Sequence, residues 1–323
     1  MCRPEFDRLI TDIGPDELLS LYRDLVVSRR IDTEAVALQR QGEIGLWAPM
    51  LGQEAAQVGS ARALAPDDFA FTSYREHAVA YCRGVPPELL TTMWRGISHS
   101  GWDPEQFNVT NPAIVVGSQG LHATGYALGA HLDGAEIATI AYFGDGATSQ
   151  GDIAEAMGFA ASFRVGVVFF CQNNQWAISE PVSLQSRTPI SHRAIGYGIP
   201  AIRVDGNDVL AVLAVTRSAL NRAREAAARR SSRRSPAGWA RTRPPTIRAG
   251  TAPIRICRSG EAAIRSSECV CSSAVAIFSE KTNSAPSRQP PTTSPLDCDA
   301  QPSRSPIRPR QRSSITSTPR HTH

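Results

Sequence analysis

The stretch EIATIAYFGDGATSQGDIAEAMGFAASFRVGVVFFCQNNQWAIS (136–179) decides the fold of this 323-residue chain. Two of its runs, EIATIAYF (136–143) and VGVVFFC (165–171), are apolar without alternation, which is how strands buried on both faces read. Between them IAEAMGFAASF (153–163) has the composition and length of a helix. A strand, a helix and a second strand in that order predict a parallel pair joined by a crossover. The same grammar extends outward. Upstream, residues 15–42 form a helical stripe of Leu18, Leu19, Leu21, Leu25 and Val26, with Asp16 and Glu17 where a helix N-terminus favours negative charge. GQEAAQVGSARAL (52–64) reads as a helix whose small residues suit close packing, and GLHATGYALGAHL (120–132) as another. Downstream, AIRV (201–204) is a third strand and NDVLAVLAVTRSALNRAREAAA (207–228) a long helix. The predicted fold class is α/β, a parallel sheet flanked by helices.

The loops at the ends of the two central strands carry the chemistry. Gly144-Asp145-Gly146 follows the first and Asn173-Asn174 the second, with 26 residues between them. Ligands of open α/β sheets bind outside the carboxyl ends of strands. Glycine lets backbone approach a phosphate, and the N-terminus of the next helix favours an anion. Asp145 and the amide oxygen of Asn174 are hard donors suited to a Mg²⁺ shared with phosphate oxygens. GDG alone is a common tight turn and NN a common loop; the two at the ends of one helix–strand unit form a site.

Composition narrows the function classes. The hydrophobic share of 41% is ordinary for a globular domain. No run of 18 apolar residues exists, so no transmembrane helix is expected. The N-terminal MCRPEFDRLITD lacks an apolar signal core, so the expected location is the cytoplasm. Seven Cys occur without CxxC or Cys/His ligand spacing, which supports neither zinc nor a disulfide framework. Charge is uneven: Arg229–His323 holds 16 Arg and one Lys against five acidic residues, a net of +12, while 1–228 has a net of −8. A basic tail raises a nucleic-acid arm as an alternative, but its only large aromatics are Trp239 and Phe278, too few for stacking recognition. No nucleic-acid or membrane partner is expected.

Five stretches, GQEAAQVG (52–59), TSYREH (72–77), IVVGSQ (114–119), FGDGATSQGD (143–152) and CQNNQWAIS (171–179), occur in an order that resembles the alpha subunit of the thiamine-diphosphate-dependent decarboxylating component of 2-oxo acid dehydrogenase complexes. The similarity covers about 20–225. The resemblance implies a thiamine-diphosphate-binding fold and a role for each matched residue. Tyr74 and Arg75 hold the diphosphate, Arg75 as a charge-assisted donor. Ile114, Val116 and Ser118 line the aminopyrimidine. Asp145, Asn174 and the backbone carbonyl of Trp176 bind Mg²⁺, Trp176 standing where Tyr is more usual. Gly146 and Ala147 contact the diphosphate by backbone. The implied partners are a beta subunit, giving a heterotetramer whose shared site takes an activating Glu from the beta chain, and the lipoyl domain of the acyltransferase component, which accepts the acyl group after decarboxylation. NNQWAIS is more like branched-chain 2-oxo acid enzymes and IVVGSQ is close to the pyruvate type; the branched-chain acid is the expected substrate and pyruvate the alternative.

The family continues after the 207–228 helix with a buried strand and then a loop carrying a catalytic His. Neither is found in the corresponding part of this chain. From Arg229 on, periodicity stops and 17 Ser, 16 Arg, 12 Pro and 9 Thr dominate, a composition that cannot offset its ordering entropy. Codons compatible with Ala228 to Ala252, read one base earlier, give GPTLIEAVTSRMGPHTTADDPRRYR, with an apolar strand TLIEAV and a family-like GPHTTADDP loop. Its His straddles the codons of Arg241 and Thr242. The expectation is a truncated domain over 1–228, followed at 229–323 by a disordered, out-of-frame tail created by a single-nucleotide change near Glu225–Arg229. No residue of this chain then stands for the catalytic His, and an inactive fragment becomes the second functional reading.

Overall fold

In the computed structural model, residues 6, 8–231 and 275–280 are described. Side chains are described through residue 225 and again at Ile277. The elements run α1 (Pro15–Arg40), α2 (Glu54–Ala61), β1 (Phe69–Phe71), α3 (His77–Cys82), α4 (Pro87–Arg95), α5 (Pro104–Phe107), α6 (Ser118–Asp133), β2 (Thr139–Gly144), a 3₁₀ turn (Asp145–Ser149), α7 (Gly151–Phe163), β3 (Val167–Asn173), α8 (Val182–Gln185), α9 (Ser191–Gly196), β4 (Ala201–Asp205), α10 (Val209–Ser231) and β5 (Val275–Glu280). Every helix and strand expected from periodicity is present within a few residues of its expected ends.

Among the described residues five strands form one parallel sheet, in the spatial order β1-β2-β3-β5-β4. The central pair is in register from Thr139↔Val167 to Gly144↔Gln172, so the GDG and NN loops leave neighbouring strands at the same edge. Alternation along those strands splits the core. Ile140, Tyr142, Val168 and Phe170 face one side, where Val212, Val215, Ala219, Leu220 and Ala223 of α10 pack. Ala141, Phe143, Phe169 and Cys171 face the other, against Ala123 and Ala127 of α6 and Ile153, Ala156 and Ala160 of α7. Tyr142, Phe143, Phe169 and Phe170 are fully buried; burial of each contributes about 1.5–3 kcal/mol. Helices on both faces explain why these strands read as continuous apolar runs.

The small residues of α2 do what their density implied. A Cβ at Gly59 would lie 2.7 Å from the Val209 carbonyl oxygen and 3.0 Å from Val212 Cβ, so α2 and α10 touch backbone to backbone. Asp68, 1% exposed, ties the start of β1 to its surroundings. Its carboxylate accepts from the Ala65 and Ala138 amides and from Arg224 of α10, 2.6 Å away.

The expectation of a disordered tail from Arg229 is corrected at two places. Helix α10 continues to Ser231, and Val275–Glu280 is a strand inserted between β3 and β4. It pairs with Val168–Asn173 on one side and Ala201–Asp205 on the other, and Ile277 is fully buried. VAIFSE is a short apolar run within the Arg/Ser/Pro-rich segment, and two flanking strands satisfy its backbone. The rest of that segment lies outside the described residues, as does all of the second compact unit, Ser284–His323.

Candidate active site at the carboxyl edge of the sheet

Three loops converge where β1, β2 and β3 end. The first, 72–77, carries Tyr74 and Arg75; the second is the 3₁₀ turn with Asp145, Gly146 and Ala147; the third, 174–180, carries Asn174 and Trp176. Together with Val116 before α6 they line a cavity of about 650 Å³. Eight of the ten residues expected at the site thus share one cavity. Ile114 and Ser118 do not line it: Ile114 is 59% exposed, and Ser118 Oγ turns back to donate to the Val115 carbonyl.

Local geometry explains how each loop is set. Asn173 Oδ1 accepts from the Gln175 amide and Asn174 Oδ1 from the Trp176 amide, two successive side-chain turns. They hold Gln175 at φ 68°, left-handed for a non-glycine residue, a conformation that clusters at functional sites. At Gly146, a Cβ would come 3.1 Å from Ala177 Cβ, so any side chain there would press the second loop against the third. Arg75 donates to the Pro49 carbonyl, and its guanidinium lies 5.5 Å from the Tyr74 ring centroid. Gln57, fully buried, fixes the first loop from behind by donating to the Arg75 carbonyl and accepting from the Ala78 amide.

Asp145 is 2% exposed, and its Oδ2 is buried with no hydrogen-bond partner among the described residues. Burial pushes its carboxyl above the ordinary range, while its own backbone amide and that of Asn174 pull it back. An orphaned carboxylate oxygen beside an asparagine amide, at a strand edge, is a place for a cation. Among the described residues no cluster of three or more His, Cys, Asp or Glu could hold a metal. A cation here therefore draws on Asp145, amide or backbone oxygens and the ligand's own oxygens. That donor set, with Arg75 on the adjoining loop, fits a Mg²⁺–diphosphate.

Three wall residues escape a reading of the sequence alone. Gln119 donates to the Tyr142 carbonyl with its Oε1 left buried and unpartnered. Glu76, 3% exposed, accepts from the Ser73 amide and from Gln172 Nε2. Gln172, a polar residue ending an apolar strand, is the one with a visible signal. Burial drives the Glu76 carboxyl up, against the Ser73 hydrogen bonds, the Arg75 charge and the Gln172 hydrogen bond.

Residues 22–228 match the model of the family described as "Dehydrogenase E1 component". The 3-methyl-2-oxobutanoate dehydrogenase subunit alpha of Mycobacterium tuberculosis is 50% identical over 214 residues, 66% of this chain and 58% of that protein. The pyruvate dehydrogenase E1 component subunit alpha of Acholeplasma laidlawii is 38% identical over 220 residues, 68% and 64% of the two chains. A solved transketolase from Pichia stipitis is 19% identical with a TM-score of 0.49, over 61% of this chain and 34% of that one. The chain thus spans less than two thirds of the length of these curated relatives. Nearly two thirds of its own length matches one family model, and the chain belongs to the dehydrogenase E1 component family.

Proposed function

We propose that this chain is the alpha subunit of a branched-chain 2-oxo acid dehydrogenase, holding thiamine diphosphate and Mg²⁺ at the carboxyl edge of its sheet. The observation that carries this reading is the unpartnered Asp145 Oδ2 in one cavity with Asn174, Arg75 and Tyr74. When bound, thiamine diphosphate supplies the nucleophilic carbon and electron sink that decarboxylation of a 2-oxo acid needs. The chain's own residues bind and orient. Asp145 and Asn174 side chains and the Trp176 carbonyl hold the metal. Arg75, as a charge-assisted donor, and Tyr74 hold the diphosphate. Gly146 and Ala147 offer backbone to it. Val116 lines the aminopyrimidine, and Ile114 and Ser118 join it there only if the 114–118 segment turns inward.

The branched-chain preference is supported by NNQWAIS and by the 50% identity to the M. tuberculosis subunit. Pyruvate is the second reading, supported by IVVGSQ and the A. laidlawii relative. The partners are a beta subunit, in a cytoplasmic heterotetramer, and the lipoyl domain of the acyltransferase. A change of frame near Glu225–Arg229 has removed the loop His, so this chain binds cofactor but turns over poorly.

Calorimetric titration of the full-length chain with thiamine diphosphate is expected to show binding that disappears when Mg²⁺ is chelated. Binding unaffected by chelation would sink the metal assignment. Restoring the frame and adding the beta partner should give turnover of 3-methyl-2-oxobutanoate above that of pyruvate. The reverse order makes the protein a pyruvate enzyme.

A further inference from the structure

The Glu76 carboxylate joins loops that are far apart in sequence. Its Oε2 accepts from the Ser73 amide at 2.6 Å, closing the turn that has Tyr74 and Arg75 at its tip. Its Oε1 accepts from Gln172 Nε2 at 2.5 Å, across 96 residues of chain. Gln172 directly precedes Asn173-Asn174, and its Cα is paired with Gly144, the residue before Asp145. Glu76 and Gln172 are 3% and 5% exposed, and both line the site cavity. Other ties of the first loop run elsewhere: Gln57 links it to α2, His77 to the Ala48 carbonyl and Thr72 to Thr110. The Glu76–Gln172 bond joins it to the strand pair carrying Asp145 and Asn174.

We propose that Glu76 is a positioning residue that, through Gln172, locks the Tyr74–Arg75 turn to the Asp145/Asn174 edge, so that the anion-holding and cation-holding halves of the site assemble as one. This rests on the thiamine-diphosphate reading of the site. A carboxylate shared between a backbone amide and a side-chain amide has no spare freedom; moving either loop breaks a buried hydrogen bond and leaves a buried polar atom unpaired. Groups that orient first-contact ligands in this way typically change affinity by roughly 10- to 100-fold when removed.

The test is a swap in the full-length chain. Gln172→Glu takes away the amide donor and, in alkaline buffer where both carboxyls are ionised, sets two like charges in contact and breaks the lock. Glu76→Gln combined with Gln172→Glu restores a carboxylate–carboxamide pair: the amide now at position 76 accepts from the Ser73 N–H and donates to the carboxylate now at position 172. Hydrogen exchange is followed without cofactor. The Ser73–Arg75 amides are expected to lose protection by about tenfold or more in Q172E and recover in the swap, with β2 and β3 unchanged. In Mg²⁺ titrations with thiamine diphosphate, Q172E is expected to bind roughly 10- to 100-fold more weakly and the swap to return to within about threefold of the parent. Should Q172E fail to fold, Q172L, which has neither donor nor acceptor at that side chain, takes its place, with loss of protection at 73–75 expected and unchanged protection overturning the lock. Unchanged exchange at 73–75 in Q172E, or a swap that rescues neither readout, overturns the lock. A parent chain that takes up no thiamine diphosphate overturns the cofactor reading instead, and the exchange measurement still decides the lock.

Discussion

Acidification should unfold this protein partly through His77. The ring is 3% exposed, stacked on Trp47 with centroids 3.8 Å apart, and Nε2 donates to the Ala48 carbonyl at 3.2 Å. Burial, with the Arg75 charge adding to it and the Ala48 bond opposing, lowers its pKa from 6.5 to about 3. The sign comes from proton counting. Between these two values the unfolded chain binds a proton that the folded chain refuses, so stability rises with pH across that window and is lost on the way down. At pH 7 this costs about 0.2 kcal/mol and at pH 5 about 2 kcal/mol, with about 1.4 kcal/mol more for each further unit toward pH 4. Glu76 and Asp145, both raised by burial, act in the opposite direction, because stability from a raised carboxyl is lost as pH rises. His77→Phe removes the histidine contribution while leaving theirs in place. Phe keeps the stack on Trp47 and gives up one hydrogen bond, about 1 kcal/mol. The variant should therefore be less stable than the parent at neutral pH, equal to it at about pH 5.9, and more stable below. Urea unfolding midpoints measured along the pH range decide it. Parent and variant curves that stay parallel between pH 7 and pH 5 would refute the buried neutral imidazole.

Asp145→Asn is expected to abolish Mg²⁺-dependent cofactor binding yet raise the melting temperature of the free chain, because it replaces a buried, incompletely partnered carboxylate with an uncharged amide; relief of about 1–3 kcal/mol is the scale. Calorimetry and thermal melts of the same sample check both halves. Gly59→Val drives a side chain into the Val209 carbonyl and Val212 at under or about van der Waals contact. Parting α2 from α10 should cost about 1–3 kcal/mol, read as a lower urea midpoint. Ile277→Asp buries an unpaired charge between β3 and β4 and should release β5, seen as faster hydrogen exchange over Val168–Asn173 and Ala201–Asp205. Unchanged protection there would mean that β5 does not hold the two strands together.

The parts of this fold that are legible in the sequence share a physical cause. β2 and β3 are buried on both faces, so nothing but apolar residues fits them, and they read as uninterrupted runs. β1 is not legible, because Phe69–Phe71 is three residues long and Asp67-Asp68 precedes it; Asp68 belongs there because it accepts bonds from three separate segments, which no local pattern shows. The site divides the same way. Asp145 and Asn174 stand out because they sit in short loops at the ends of two legible strands, whereas Arg75 is found only through the resemblance carried by TSYREH (72–77). Glu76 and Gln119 do not, because their roles lie in hydrogen bonds to residues 96 and 23 positions away. Ile114 and Ser118 obey the motif but not the cavity: Ser118 Oγ finds its acceptor three residues back instead of facing inward.

The sheet itself constrains the chain beyond α10. β3 and β4 do not pair with each other; each pairs with β5, over six and five residues. Without an intervening strand, the amide and carbonyl rows of β3 on that side would stand unpaired beside Ile202 and Val204, which pack against the same core as Val168 and Phe170. The position is specified by backbone hydrogen bonds and an apolar face, and both can be met by more than one sequence. In this chain VAIFSE meets that demand, reached after the 43 residues that separate Ser231 from Val275, and the TLIEAV run expected from a neighbouring frame has the same apolar character. A parallel crossover of the shorter kind needs little more than the helix already present, whereas each added stretch of connection raises the entropy of closing it, though only logarithmically. Strand substitution at this position is thus inexpensive for the sheet.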